Sequence, residues 1–168
     1  MLTAADDQEP LPTVSAGQHW LVSWHPPDAV IGGRPHGAAG VCLGDSGRQL
    51  VLISPDQVYW GLPAGRPEGS ETPRETLDRE MREEACVEVV DARFLGFSRS
   101  VCTQGHEKDL VLVRSFWRAE VEIGPWQPQF EIPYRRVVPA ARASDFLREP
   151  DAVAMRISLR ALAEAGLA

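Results

Sequence analysis

No stretch of the chain approaches the roughly 18 consecutive apolar residues that a membrane-spanning helix needs, so no membrane partner is expected. Cysteine is scarce. Cys42, Cys86 and Cys102 are widely spaced and odd in number, which argues against a disulfide framework and for a reducing, cytoplasmic setting. The opening residues, MLTAADDQEPLPTVSAG, are acidic and carry prolines, without the charged-then-apolar order of an export signal. A basic excess is also lacking. Seventeen Lys and Arg stand against 24 Asp and Glu, a formal net charge of −7. Duplex nucleic acid is therefore not an expected partner, because affinity for it comes largely from cations on phosphates. A small anionic ligand stays open to such a chain, since a bound metal ion supplies positive charge locally.

What remains has the size of one ordinary domain: 168 residues, 43% of them hydrophobic, enough for a real core. Residues 1–17 read as a flexible N-terminal tail and 18–168 as a single domain, with no internal repeat. HWLVSW (19–24) is a candidate strand, followed by a turn-rich segment. AAGVCLG (38–44) and QLVLIS (49–54) are β-prone runs joined by DSGR, a hairpin signal. WGLPAGRPEGSE (60–71) is a Gly/Pro loop. Further on, VEVVDARFLGFSRSV predicts one or two strands and DLVLVRSFWRAEVEI (109–123) the strongest one, with Val111, Val113, Trp117 and Val121 on one side. VVPAARASDFL and SLRALAEAGL read as C-terminal helices. The order implies an α/β (α+β) fold, a mixed sheet with helices packed on it.

Between the loop and the later strands lies a sharply punctuated helix, expected from about Pro73 to about Ala85. Thr72 and Glu75 have the spacing of a capping box, and Pro73 falls at the first helical position, where its missing N–H is harmless. Leu77, Met81 and Ala85 give an apolar stripe. Glu80, Glu83 and Glu84 fall at i, i+3 and i+4 on an adjacent face, where like charges repel. Such a patch is either a solvated surface or a seat for hard divalent cations, which take oxygen ligands.

The residues around that patch weigh for the second use. GRPEGSETPRETLDREMREEACV, from Gly65, resembles the Nudix box, GX5EX7REUXEEXGU with U aliphatic. Gly65, Glu71, Arg79, Glu80, Met81, Glu83, Glu84 and Val87 fall in register, and only the final glycine is replaced, by Cys86. The resemblance implies an α/β/α sandwich and a metal-dependent hydrolase of pyrophosphate bonds in nucleoside diphosphate-linked compounds, using Mg²⁺ or Mn²⁺. It implies Glu80, Glu83 and Glu84 as catalytic, metal-binding carboxylates, joined by the Gly65 carbonyl. Glu71 and Arg79 would form a supporting ion pair, with Arg79 turned away from Glu80. The family's glycine at position 86 would take a left-handed turn that ends the helix, so Cys86 either accepts that strain or shifts the helix end.

Other positions stay open. Arg66 is a candidate for a substrate phosphate. Glu107, Glu120, Glu122 and Glu131 are candidates for a catalytic base outside the box. His19, His25 and His36 have no partner at zinc-ligand spacing, and His106 shares a loop with Glu107. Of the five tryptophans, Trp126 in GPWQPQF is the candidate for nucleobase stacking. Marks that accompany the ADP-ribose, diadenosine polyphosphate and coenzyme A types of the family are not found, which leaves a nucleoside triphosphate or a nucleotide-sugar as the small-molecule substrate. A domain that binds a nucleotide or partner without hydrolysis is the alternative, and a homodimer is compatible with either.

Overall fold

A computed structural model describes residues 9–128 and 132–167. The candidate base Glu131 lies outside the described residues. The strands are β1 (Leu11–Ser15), β2 (Gln18–His25), β3 (Arg34–Gly44), β4 (Gln49–Ser54), β5 (Ala64–Gly65), β6 (Val87–Gln104), β7 (Val111–Ile123) and β8 (Tyr134–Pro139). The helices are α1 (Pro73–Ala85), α2 (Ala143–Phe146) and α3 (Ala152–Glu164). The strands form one mixed sheet in the order β1-β2-β6-β7-β3-β4-β8, with β5 paired to β3. Among the described strands only β3 and β7 run parallel.

The β3–β4 hairpin closes as its turn residues predict. Asp45, Ser46 and Gly47 all take positive φ, and Gly47 N–H donates to Gly44 O at 3.1 Å. β3 is buried from Gly37 to Gly44, as expected of a strand covered on both faces. On one face Ala38 and Cys42 pack with Leu77, Met81 and Ala85 of α1. On the other, Ala39, Val41 and Leu43 join Trp24, Trp60, Phe116 and the Ala161 and Leu162 side of α3. Gly40 sets the approach of α1, because a Cβ there would come within 2.9 Å of the Met81 sulfur. The result is a sheet with helices on both faces, as the sequence implied.

Three expectations change. Leu11–Ser15, placed in the tail, is an edge strand antiparallel to β2 from Leu11↔Val22 to Ser15↔Gln18. Its Pro12 masked it, and an edge strand is where a proline is tolerated. VVPAARASDFL is not one helix. Val137 and Val138 continue β8, which pairs with β4, and only Ala143–Phe146 is α-helical. The last helix starts earlier than its apolar pattern, because Asp151 caps it by accepting from Val153 N–H at 2.8 Å and Ala154 N–H at 2.9 Å. β6 is a single long strand, kept continuous by bulges at Val89/Asp91 and Phe94/Gly96. Among the described residues no helix is long and apolar enough to cross a membrane.

Helix α1 matches its predicted bounds, and both capping-box bonds are made: Glu75 N–H to Thr72 Oγ1 at 3.2 Å and Thr72 N–H to Glu75 Oε1 at 3.3 Å. Cys86 takes the left-handed conformation itself, φ 54° and ψ 46°, with its N–H donating to Met81 O. Its thiol reaches Gln127 O at 3.4 Å. A β-carbon in that conformation costs about 1 kcal/mol, so Cys86→Gly is expected to stabilise the protein by about 0.5–1 kcal/mol. Urea midpoints of the two proteins measure it.

Candidate active site

The loop before α1 and the helix itself are tied together by one guanidinium. Arg79 donates to Glu71 through Nε at 2.8 Å and Nη2 at 2.9 Å. The same side chain reaches Arg66 O at 2.7 Å, Glu80 Oε1 at 2.7 Å and Glu83 Oε2 at 3.0 Å. The Glu71–Arg79 pair is present, but Arg79 is not turned away from Glu80. Helical geometry puts residue 83 one turn above residue 79, and the long stem lets the fork bend to Glu80 as well. Glu71 also accepts from Glu68 N–H at 2.7 Å. Bonding to Arg79, then to that backbone N–H, pulls its carboxyl down to about 2.

Burial of Leu77, Met81 and Ala85 beneath α1 turns the other acids toward the loop. Glu80 is 9% exposed and lies so close under Gly65 that a Cβ at position 65 would collide with its carboxylate. The Gly65 carbonyl oxygen faces β3, where a side chain on Gly37 would meet it at 2.5 Å. Glu84 Oε2 accepts from Ala64 N–H at 3.2 Å. Burial raises the Glu80 carboxyl against the pull of Arg79. Burial, then the Glu80 charge, raises Glu84 to about 7. These are hard oxygen donors crowded with too little positive charge, the donor set that Mg²⁺ or Mn²⁺ takes. Among the described residues no three acids, histidines or cysteines already converge as a cage, so a cation would have to draw an oxygen of Glu80 or Glu83 from Arg79.

Ala64 is shared with a cavity of about 390 Å³ on the opposite, α3-facing side of the sheet. Its walls include Trp20, His36, Ser98, Arg114, Phe116 and Glu149. Strand alternation builds the floor: Trp20 and Val22, Ser98 and Ser100, and Leu112, Arg114 and Phe116 lie two residues apart on β2, β6 and β7. Glu149, ahead of α3, accepts from Ser158 Oγ at 3.0 Å, and burial raises its carboxyl. His36 is pulled down to about 4 by burial, then by Arg114, Arg66 and Arg34, and is neutral at pH 7.

The sequence candidates divide accordingly. Arg66 belongs to the positive group around His36. Glu107 stands at the same end of the sheet, held by Gln18 Nε2 at 2.8 Å. Glu120 and Glu122 do not. Ser115 lies beside Ala38, which pairs with Gly65, so Glu120 is about 16 Å further along the strand at ~3.3 Å per residue, where it pairs with Arg118 at 3.0 Å. Trp126 does not line the cavity. Arg135 lies over its ring at 5.3 Å while donating to Ala85 O at 2.9 Å. Trp20, Arg114 and Glu149 were not singled out, and for Arg114 a signal existed: it interrupts the apolar run LVLVRSFW.

A family model for the NUDIX domain matches residues 34–161. The chain belongs to the NUDIX family. Among solved structures it is similar to the Bacillus subtilis pyrophosphohydrolase BsRppH at 23% identity and TM-score 0.64, covering 88% of this chain and 92% of that one. It is also similar to a MutT protein from Bacillus halodurans (18%, TM-score 0.59, covering 75% and 80%). A third is the NUDIX domain of Shewanella oneidensis NrtR, complexed with ADP ribose (17%, TM-score 0.58, covering 83% and 90%). At these identities the likeness carries the fold. No curated protein matches the chain. Membership makes this NUDIX protein a hydrolase of the pyrophosphohydrolase type, in a family that works with divalent metals.

The raised Glu84 carboxyl sets a pH dependence. The folded NUDIX protein keeps a proton up to about pH 7 that the unfolded chain releases near its ordinary value of about 4.3. Its stability contribution is therefore full below pH ~4.3 and lost as pH rises through ~7. In metal-free protein, Glu84→Gln is expected to match the parent near pH ~4 and exceed it by on the order of 1 kcal/mol at pH ~8, after solvent screening. Urea denaturation at the two pH values checks this.

Proposed function

We propose that the protein hydrolyses a pyrophosphate bond in a nucleoside diphosphate-linked compound, a nucleoside triphosphate or a nucleotide-sugar, with Mg²⁺ or Mn²⁺. The observation that carries this reading is the meeting, at Ala64, of the crowded carboxylates of α1 with an aromatic-walled cavity. Glu80, Glu83 and Glu84 would hold the cation, with Gly65 beside them. When bound, the metal polarises phosphoryl oxygens and lowers the pKa of an attacking water.

The chain's own residues do the rest. Arg79 holds the loop against α1, so that Gly65 and Glu80 keep their contact while substrate enters. Trp20 and Phe116 offer ring faces to a base, and the hydroxyls of Ser98, Ser100 and Ser158 offer hydrogen bonds to its edge or to a sugar. The water's proton goes to a glutamate of α1, to Glu107 or to Glu131, and Glu149 joins these candidates because it lines the cavity. Binding without hydrolysis remains the second reading. What favours it is the Arg79 guanidinium occupying oxygens of Glu80 and Glu83. Cys86 no longer speaks for it, because the residue adopts the turn that the glycine would make.

A panel of nucleoside triphosphates and nucleotide-sugars incubated with Mg²⁺ or Mn²⁺ tests the proposal. Phosphate-containing products are expected with at least one compound and none after chelation. Glu83→Gln and Glu84→Gln are each expected to lower kcat by ~10²-fold or more while the fold persists, because ligand charge acts in the transition state. Unchanged turnover in both variants would refute the assignment, and binding with no product from any compound would favour the second reading.

A further inference from the structure

Arg114 is a cation placed in a cavity without an acceptor. Its neighbours across the sheet are Gly37 on β3 and Ser98 on β6, both small. Leu112 and Phe116 flank it along β7 on the same face. Among the described residues, it makes no hydrogen bond and no ion pair. Glu84, Glu149 and Glu80 act on it only through space. Two other arginines near the site are engaged otherwise: Arg79 makes five hydrogen bonds and Arg135 caps the carbonyls of Ala85 and Cys86.

Burying an unpaired charge is costly and persists where a ligand completes it. A planar fork with free donors matches a phosphoryl group, which accepts bidentate bonds. Location agrees. Gly37, level with Arg114, adjoins Ala38, the partner of Gly65, so the fork stands where the cavity meets the carboxylate loop. The α1 carboxylates lie on one side of Ala64, and Arg114, with Arg66 and Arg34 near His36, on the other, where Glu149 and Glu107 also stand. We infer that Arg114 is a metal-independent receptor for a phosphoryl group of the substrate, the one on the cavity side of the metal-held linkage. This rests on the proposed reaction for which phosphate it meets, and not for the binding itself.

The experiment is calorimetric titration in EDTA of the parent, Arg114→Lys and Arg114→Met with inorganic pyrophosphate, adenosine and guanosine 5′-(α,β-methylene)triphosphates, and the free nucleosides. At least one methylene analogue is expected to bind the parent without metal, about 10–100-fold weaker to Arg114→Met, and in between to Arg114→Lys. Free nucleosides should bind parent and Arg114→Met alike. The melting temperature of ligand-free Arg114→Met should equal or exceed the parent's, because no hydrogen bond within the protein is lost. The inference is overturned if no analogue binds the parent in EDTA, if Arg114→Met binds within twofold of the parent, or if its melting temperature falls by several degrees. Metal-free binding lost in Arg114→Met, with no hydrolysis by the parent, would sink the proposed reaction and leave the receptor standing. Hydrolysis with an unchanged KM in Arg114→Met would do the reverse.

Discussion

The Arg79 guanidinium joins the loop before α1 to the helix at more points than any other side chain of the site. All five of its N–H donors are spent, on both oxygens of Glu71, on the Arg66 carbonyl, on Glu80 and on Glu83. With its side chain 16% exposed, these bonds are shielded from water and worth more than surface pairs. They hold a Gly/Pro loop, which has little intrinsic preference for one conformation, in the single arrangement that brings Gly65 onto Glu80. Removing this fork would leave several half-buried carboxylates facing one another.

A second constraint is strand parity. Because side chains alternate across a sheet, each strand of the centre serves both faces at once. On β7, Ala119 and Val121 pack toward α1 while Leu112, Arg114 and Phe116 line the cavity toward α3. The carboxylates belong to one face and the cavity to the other. The two communicate where β5 ends the loop against the edge of β3, at Ala64 and Gly65. Gly37 makes that junction passable, since any side chain there would strike the Gly65 carbonyl.

The structural neighbours share this architecture at 17–23% identity, so the scaffold tolerates replacement of most of its side chains. Part of the cavity wall comes from Thr13, Ser15, Trp20 and Val22, which precede the matched residues 34–161. The cavity wall is thus supplied partly by residues ahead of the matched stretch, while the carboxylate helix lies wholly inside it.

Short-range physics was readable in the sequence itself. The capping box, the apolar stripe and the clustered glutamates each depend on residues within about one or two helical turns, and each appears as read. So does the β3–β4 hairpin, set by its own turn residues. At Cys86 two outcomes were open, and the left-handed turn is the one taken. Contacts between distant segments were not readable. Pro12 disguised an edge strand whose partner is β2, and Val137–Val138 looked helical until β4 supplied a hydrogen-bonding neighbour. Trp20, Arg114 and Glu149 form one cavity only because β2, β6, β7 and the approach to α3 are brought side by side. Spacing along the chain determined the helix and its acids, since a helix bonds to itself. Strand pairing and helix packing decided the cavity, since those bonds join residues whose separation in sequence says nothing of their distance.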